Sequence, residues 1–169
     1  LAYFGTDDPD YYGIKAQRLP CYPAWQDPAL GSLKPGIYAI SATLFQSIYT
    51  NTEGPWNKTY EADYQNCLKN LRVYLATKND PVRRAQLLQR YPTRLWVVAS
   101  QDFVNLRFGR LCAWLRHNRE PTDNVNHSIL IWNLSAADIR AALGGPPAEL
   151  NDAPIWSHSQ NSPIKTAQS

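Results

Sequence analysis

Ile37-Tyr-Ala-Ile-Ser-Ala-Thr43 and Ser128-Ile-Leu-Ile-Trp-Asn-Leu134 are the two stretches on which the fold of this chain turns. Each is short, rich in β-branched and aromatic residues and nearly continuous in apolar character, the pattern of a strand covered on both faces. Ser135-Ala-Ala-Asp138 follows the second run directly, with Ser at an N-cap and an acid three residues on, so it resembles a capping box. The helix it opens is stopped by Gly144-Gly145-Pro146. Leu1-Ala-Tyr-Phe-Gly5 reads as a further buried strand, and Thr6-Asp-Asp-Pro-Asp10 supplies turn and helix-start chemistry for a brief helix over residues 11–17. Strands alternating with helices predict an α/β fold, a small and mostly parallel sheet flanked by amphipathic helices. The runs at 37–43 and 128–134 are its neighbouring parallel strands.

Between these runs the periodicity changes from two to 3.6. Residues 60, 64, 67, 68, 71, 74 and 75 are apolar or aromatic at spacings of three, four and seven, which puts them on one face of a helix spanning 60–78. Asp80-Pro81 is an N-cap with Pro at the first helical position and opens a second helix to about Arg90. Phe103, Leu106, Leu111, Trp114 and Leu115 outline a third, starting near Ser100 or Asp102 and carrying Gly109 inside its pattern. Residues 19–35 hold Pro20, Pro23, Pro28 and Pro35 among scattered aromatics and predict an extended surface loop. The organisation expected is one domain over residues 1–144, a long helical insertion over 51–119 and an extended tail over 145–169 that docks on its own domain or on a neighbour.

The chain has 169 residues, of which 44% are hydrophobic, enough to bury a sizeable core, so a disordered or fibrous polymer is excluded. The densest apolar runs, residues 95–99 and 129–132, are far shorter than the roughly 20 residues that span a bilayer. The chain begins at Leu1 in a strand-like run, without a Met or a secretory leader, which reads as a cut or processed piece. Charge is segregated although the total is only +3. Residues 64–119 hold eleven Lys and Arg against Asp80 and Asp102, a formal +9, and the two flanks carry −3 each. Such a block is either the solvated outer face of helices or a contact surface for anionic lipid headgroups or an acidic partner. Nucleic acid is not called as a partner, because no binding motif or stacking signature accompanies the charge. Arg83, Arg84, Arg90, Arg94, Arg107 and Arg110, with Trp156 of the tail, are the candidate docking residues.

Catalytic constellations are weak. Asp8-Pro9-Asp10 spells the acidic pair that can hold a hard divalent cation, yet three acids before Tyr11-Tyr12 are explained by helix-start chemistry, so no metal is assigned to Asp8 or Asp10. His117, His127 and His158 lie apart from any nucleophile motif, and Gly144-Gly145 ends a helix instead of opening one. Cys21, Cys67 and Cys112 form no metal-ligand spacing; the latter two fall on apolar helix stripes, as buried small residues or, less simply, as a disulfide. No cofactor is assigned. Tyr11, Tyr12, Trp25 and Trp56 are candidate sugar-stacking residues, since aromatic rings in loops near Asp, Asn and Gln either bind carbohydrate or pack over core edges. Sequons stand at Asn57, Asn126 and Asn133, the last expected inside a strand and inaccessible.

Four stretches, Leu1-Ala-Tyr-Phe-Gly-Thr-Asp-Asp-Pro-Asp-Tyr-Tyr-Gly-Ile14, Pro35-Gly-Ile-Tyr-Ala-Ile-Ser-Ala-Thr43 with Gln46 and Tyr49, Ala113-Trp-Leu-Arg116 and His127-Ser-Ile-Leu-Ile-Trp-Asn-Leu134, carry a family resemblance. They resemble, in the same order, the C-terminal extracytoplasmic soluble region of bacterial membrane glycosyltransferases similar to dolichyl-phosphate-mannose protein mannosyltransferases. The resemblance covers about half the chain, and residues 51–110 are longer than the corresponding connection. In such enzymes a multi-pass membrane body binds the polyprenyl-phosphate sugar and carries the catalytic acid, so the resemblance implies no catalytic residue here. It implies a non-catalytic, periplasmic, membrane-associated domain of such an enzyme, or an accessory subunit that docks on a membrane complex through its basic helices and tail.

Overall fold

The computed structural model describes residues 1–3, 9–20 and 32–150. After a 3₁₀ turn at Pro9–Tyr12, strand β1 runs Gly36–Ser41 into a one-turn helix α1, Ala42–Phe45. The chain then leaves the sheet through α2 (Lys58–Ala76), α3 (Pro81–Arg90) and α4 (Thr93–Asn118). It returns as β2 (Asp123–Val125), β3 (Ile129–Leu134) and α5 (Ala136–Gly144).

The three strands lie in the order β1-β3-β2, and both pairings are antiparallel, with Tyr38 opposite Trp132 and Asn124 opposite Leu130. This corrects the expectation of a mostly parallel sheet. The two apolar runs are neighbours, as expected, but they run in opposite directions. The cause is β2, a strand that the periodicity did not reveal. The helical excursion from β1 does deliver β2 in the same direction as β1, but at the far edge of the sheet. Asn126 and His127, both at positive φ (47° and 56°), then reverse the chain, and the Ser128 N–H closes the turn on the Val125 carbonyl at 2.9 Å. Positive φ at both central residues suits the right-handed twist of the flanking strands. β3 therefore inserts between β1 and β2, antiparallel to both. The only parallel contact of β1 among the described residues is a single bridge, Ala2 to Ile40. Of the expected N-terminal strand at 1–5, residues 4 and 5 lie outside the described residues.

An antiparallel sheet needs cover on one face only, and here one is left open. Tyr38, Ile40, Trp132 and Leu134 are buried beneath α4 and α5, whereas Ile37 is 76% exposed and Asn133 is exposed. The Asn133 sequon is thus accessible, against expectation, because alternate residues of β3 face solvent. Asn126 is exposed in the hairpin turn, while the Asn57 side chain is buried as the N-cap of α2, accepting the Tyr60 N–H at 2.9 Å.

Helix α4 is the centre of the molecule. Phe108, Leu111, Cys112 and Leu115 pack with the sheet and α5 in one apolar cluster, and Leu106 and Ala113 pack with Trp56 and Tyr64 in a second. Gly109 permits the second contact, since a Cβ there would stand 2.5 Å from Thr52 Oγ1 and 3.2 Å from the Trp56 ring. Contacts between α2 and α4 pair Glu61 with Arg110, Tyr64 with Phe103, and Tyr74 with Trp96, so the helices are antiparallel. Their 19 and 26 residues rise about 28 and 39 Å. The end away from the sheet is bridged by α3. Helix α4 begins at Thr93, earlier than the expected start near Ser100, because Pro92 occupies its N-cap position without a side-chain cap that could mark it.

Candidate functional site

The eleven basic residues of the central block divide into two populations. Arg107, Arg110, Arg116 and Arg119 lie on and just after the sheet-proximal half of α4, and the structure uses them internally. Arg110 is 2% exposed; its Nε donates to Glu61 Oε2 at 2.8 Å and its Nη2 to Glu61 Oε1 at 3.1 Å. The same guanidinium caps the end of α5, donating to the carbonyls of Ala142 and, at 2.8 Å, Gly145. Glu61 also accepts from the Trp56 indole at 2.9 Å and from Gln65 at 2.8 Å. Burial pushes its carboxyl up, but the hydrogen bonds from Arg110, Gln65 and Trp56 outweigh burial and leave it below the usual carboxylate range. Arg107 is buried with its guanidinium 5.4 Å from the Phe103 ring centre. Arg116 bonds Glu149 and the Phe45 carbonyl, and Arg119 bonds Asp138. Arg107 and Arg110 are therefore removed from the docking surface that their charge had implied.

The other seven, Lys69, Arg72, Lys78, Arg83, Arg84, Arg90 and Arg94, stand on the distal halves of α2 and α4 and on α3, with Asp80 at the tip and Asp102 beside Cys67 as the acids of the block. All but Arg84 are exposed. An aromatic pin holds this end together. Tyr74 stacks on Trp96 with ring centres 4.8 Å apart, Tyr91 meets Trp96 edge-on at 6.2 Å, and the Trp96 indole donates to the Tyr91 carbonyl at 3.0 Å. Arg84 lies over the Tyr74 ring at 4.5 Å and also bonds its hydroxyl, which locks α3 to α2. Asp80 starts α3 by accepting the Arg83 N–H at 3.0 Å. Helix α3 contains no buried residue, so this pin and cap are its main attachment. Val73 and Leu75 of α2, Val82 of α3 and Val97 of α4 are exposed beside the charges.

The remaining candidates are scattered. Tyr11 and Tyr12 are exposed in the 3₁₀ turn, their rings edge-on at 5.2 Å. Trp56 is buried and its N–H is engaged by Glu61, so no face is presented to a sugar. Trp25, Trp156, Asp8 and the tail beyond residue 150 lie outside the described residues. Asp10 pairs with Arg18 at 2.9 Å, and no group of three metal-ligating side chains is found among the described residues. Cys67 and Cys112 are free thiols and are not joined to each other; burial pushes them up to about 11 and about 12. No helix among the described residues is long and apolar enough to cross a membrane.

Tyr74, Tyr91 and Trp96 were not singled out by sequence reading as parts of this site. A signal for the split of the arginines is present, however. Arg107 and Arg110 fall at spacings of three and four from Phe103, Leu106 and Leu111, on the apolar face of α4, whereas Arg83 and Arg90 recur with Val82 and Gln86 on the outer side of α3. Compared with protein-family models, curated proteins and solved structures, the chain finds no match.

Proposed function

We propose that this chain is a non-catalytic docking module, the soluble part of a membrane-associated assembly of the glycosyltransferase type that its sequence resembles, and that it meets its anionic partner with the distal tip of the α2–α3–α4 excursion. The observation that carries this reading is the sorting of charge. Arginines near the sheet are paired with internal partners, including the exposed Arg119 with Asp138, while six exposed basic side chains are concentrated on a tip whose own acid, Asp80, caps α3 and pairs with Arg83 alone at 3.4 Å. The aromatic pin attaches α3 to α2 and α4, and by fixing their geometry it also lowers the ordering cost that a contact surface would meet on binding. An accessory subunit docking in the same way is the second reading. The resemblance supports either, since both place the module beside a membrane complex.

The test is salt-dependent association of the full chain with membranes of its source cell. Replacing Arg83, Arg90 and Arg94 together by Gln is expected to weaken association at low salt, and raising salt is expected to weaken the unaltered chain. Equal association of both proteins at every salt concentration overturns the proposal.

A further inference from the structure

Resting on that docking reading, we infer that the immediate ligand of the tip is an anionic lipid leaflet, into whose headgroup region the tip inserts aliphatic side chains. Charge alone would fit an acidic protein or a nucleic acid equally. The distinguishing feature is what stands between the charges. Val73, Leu75, Val82 and Val97 are 50%, 60%, 66% and 51% exposed, and each belongs to the same distal end as Arg72, Lys78, Arg83, Arg90 and Arg94. Tyr74 and Trp96, between Val73 and Leu75 and next to Val97, are spent on each other in the pin, so the side chains left outward are aliphatic and cationic. A surface for single-stranded nucleic acid would offer free aromatic faces for stacking. Here the apolar groups stand on the distal parts of three helices, Val73 and Leu75 on opposite sides of Tyr74 in α2, each among exposed cationic groups, a mixture that the boundary of an anionic leaflet accommodates.

The chemistry of that interface matches both kinds of side chain. Basic groups gain from the negative surface potential of anionic headgroups, and aliphatic groups gain by entering the boundary of the acyl region. Arginine stems add apolar length while their guanidiniums remain among phosphates. Contact made by the tip alone is interfacial and does not span the leaflet.

Binding of the full chain to vesicles of phosphatidylcholine alone and of phosphatidylcholine with phosphatidylglycerol, free of any protein, separates the cases. Insertion is read as the rise in surface pressure of a monolayer of the same lipids. The unaltered chain is expected to bind only the anionic vesicles and to raise the pressure of the anionic monolayer. Arg83, Arg90 and Arg94 changed to Gln should lower vesicle affinity by about a hundredfold, and the same three changed to Lys should retain most of it. Arg84 is left in place because it pins α3. Leu75→Ser with Val82→Ser should keep salt-sensitive adsorption and lose the pressure rise; both sites are exposed, and unchanged melting of the variant confirms that it folds. Equal binding to neutral and anionic vesicles, or adsorption without insertion by the unaltered chain, overturns the inference. Association with native membranes but not with protein-free vesicles overturns it too, while leaving the docking reading standing with an acidic protein as partner. Loss of association with both overturns the two together.

Discussion

Arg110 shows how one residue decides whether charge is structure or surface. Its guanidinium is the junction of three elements, because it neutralises Glu61 of α2 while capping α5 through the carbonyls of Ala142 and Gly145. Five N–H donors in a planar fork suit that task, since one edge pairs bidentately with the Glu61 carboxylate while other N–H groups reach the carbonyls, a geometry that the point charge of lysine lacks. Its neighbour Tyr64 adds a ring 5.2 Å from the guanidinium carbon and donates its hydroxyl to the Leu143 carbonyl at 3.1 Å. Removing one partner from a buried pair leaves the other uncompensated, and such losses cost about 3–5 kcal/mol. Arg110→Gln is therefore expected to lower unfolding free energy by about that amount, read in a urea titration. An exposed-site change such as Arg83→Gln should alter it by less than about 0.5 kcal/mol. A small effect of Arg110→Gln would show that the residue is surface-like after all.

At the scale of elements, α3 is the least anchored part of the molecule. It buries none of its residues and is held by the Asp80 cap, by Arg84 on Tyr74, and by the Tyr91–Trp96 contact. Loss of an N-cap side chain costs about 1 kcal/mol, and in a helix so lightly packed that loss acts locally. Asp80→Ala should speed amide hydrogen exchange in α3 while leaving exchange in α4 residues 104–115 and the global melting temperature nearly unchanged. Equal acceleration in α4 would mean that α3 is part of the cooperative core. Asp80-Pro81 made this helix readable in sequence, as Ser135 and Asp138 made α5 readable, since caps are local chemistry; the full capping box is present in α5. The face of α2 was legible from spacing as far as Tyr74, with Tyr64 and Leu71 buried, but Leu75, expected on the same face, is 60% exposed at the end of the helix. Strand direction was not legible. It depended on β2, which spans only Asp123–Val125, has no buried residue, and turns through Asn-His instead of a Gly-containing pair. The open face of β3 was misread because Ile129 and Ile131 on that side are as apolar as Leu130 and Trp132 on the other. The basic surface was legible only as a total, because charge summed along the chain cannot tell an arginine that caps a neighbouring helix from one that faces water.

Across the whole molecule, the α2–α4 contact and the start of α5 carry acids of opposite character, and this sets how stability follows pH. Glu61 is held below the usual carboxylate range by Arg110, Gln65 and Trp56 against the opposing effect of burial. Asp138 is held at about 2, first by the side-chain bond from Arg119 and then by those from Ser135. A depressed carboxyl stabilises the fold fully above its unfolded value, about 4, and that contribution is lost as pH falls toward the folded value. Asp63 and Asp102 behave in the reverse sense. Burial raises both, each adds to the desolvated negative charge near Cys67, and the Asp63 charge raises Asp102 further. A raised carboxyl favours the fold while protonated, and that advantage is lost as pH rises through the folded value. Stability is therefore expected to be greatest in mildly acid solution, falling on the acid side through Glu61 and Asp138 and on the neutral side through Asp63 and Asp102. Urea midpoints measured across this range for the unaltered chain and for Asp102→Asn check the sign at both ends. The variant should be more stable than the unaltered chain at neutral pH and no more stable below about pH 4, where the unfolded carboxyl is itself protonated. If Asp102→Asn is instead less stable at neutral pH, the carboxylate is stabilised in the fold, and the seam between α2 and α4 is not the electrostatically strained contact described here.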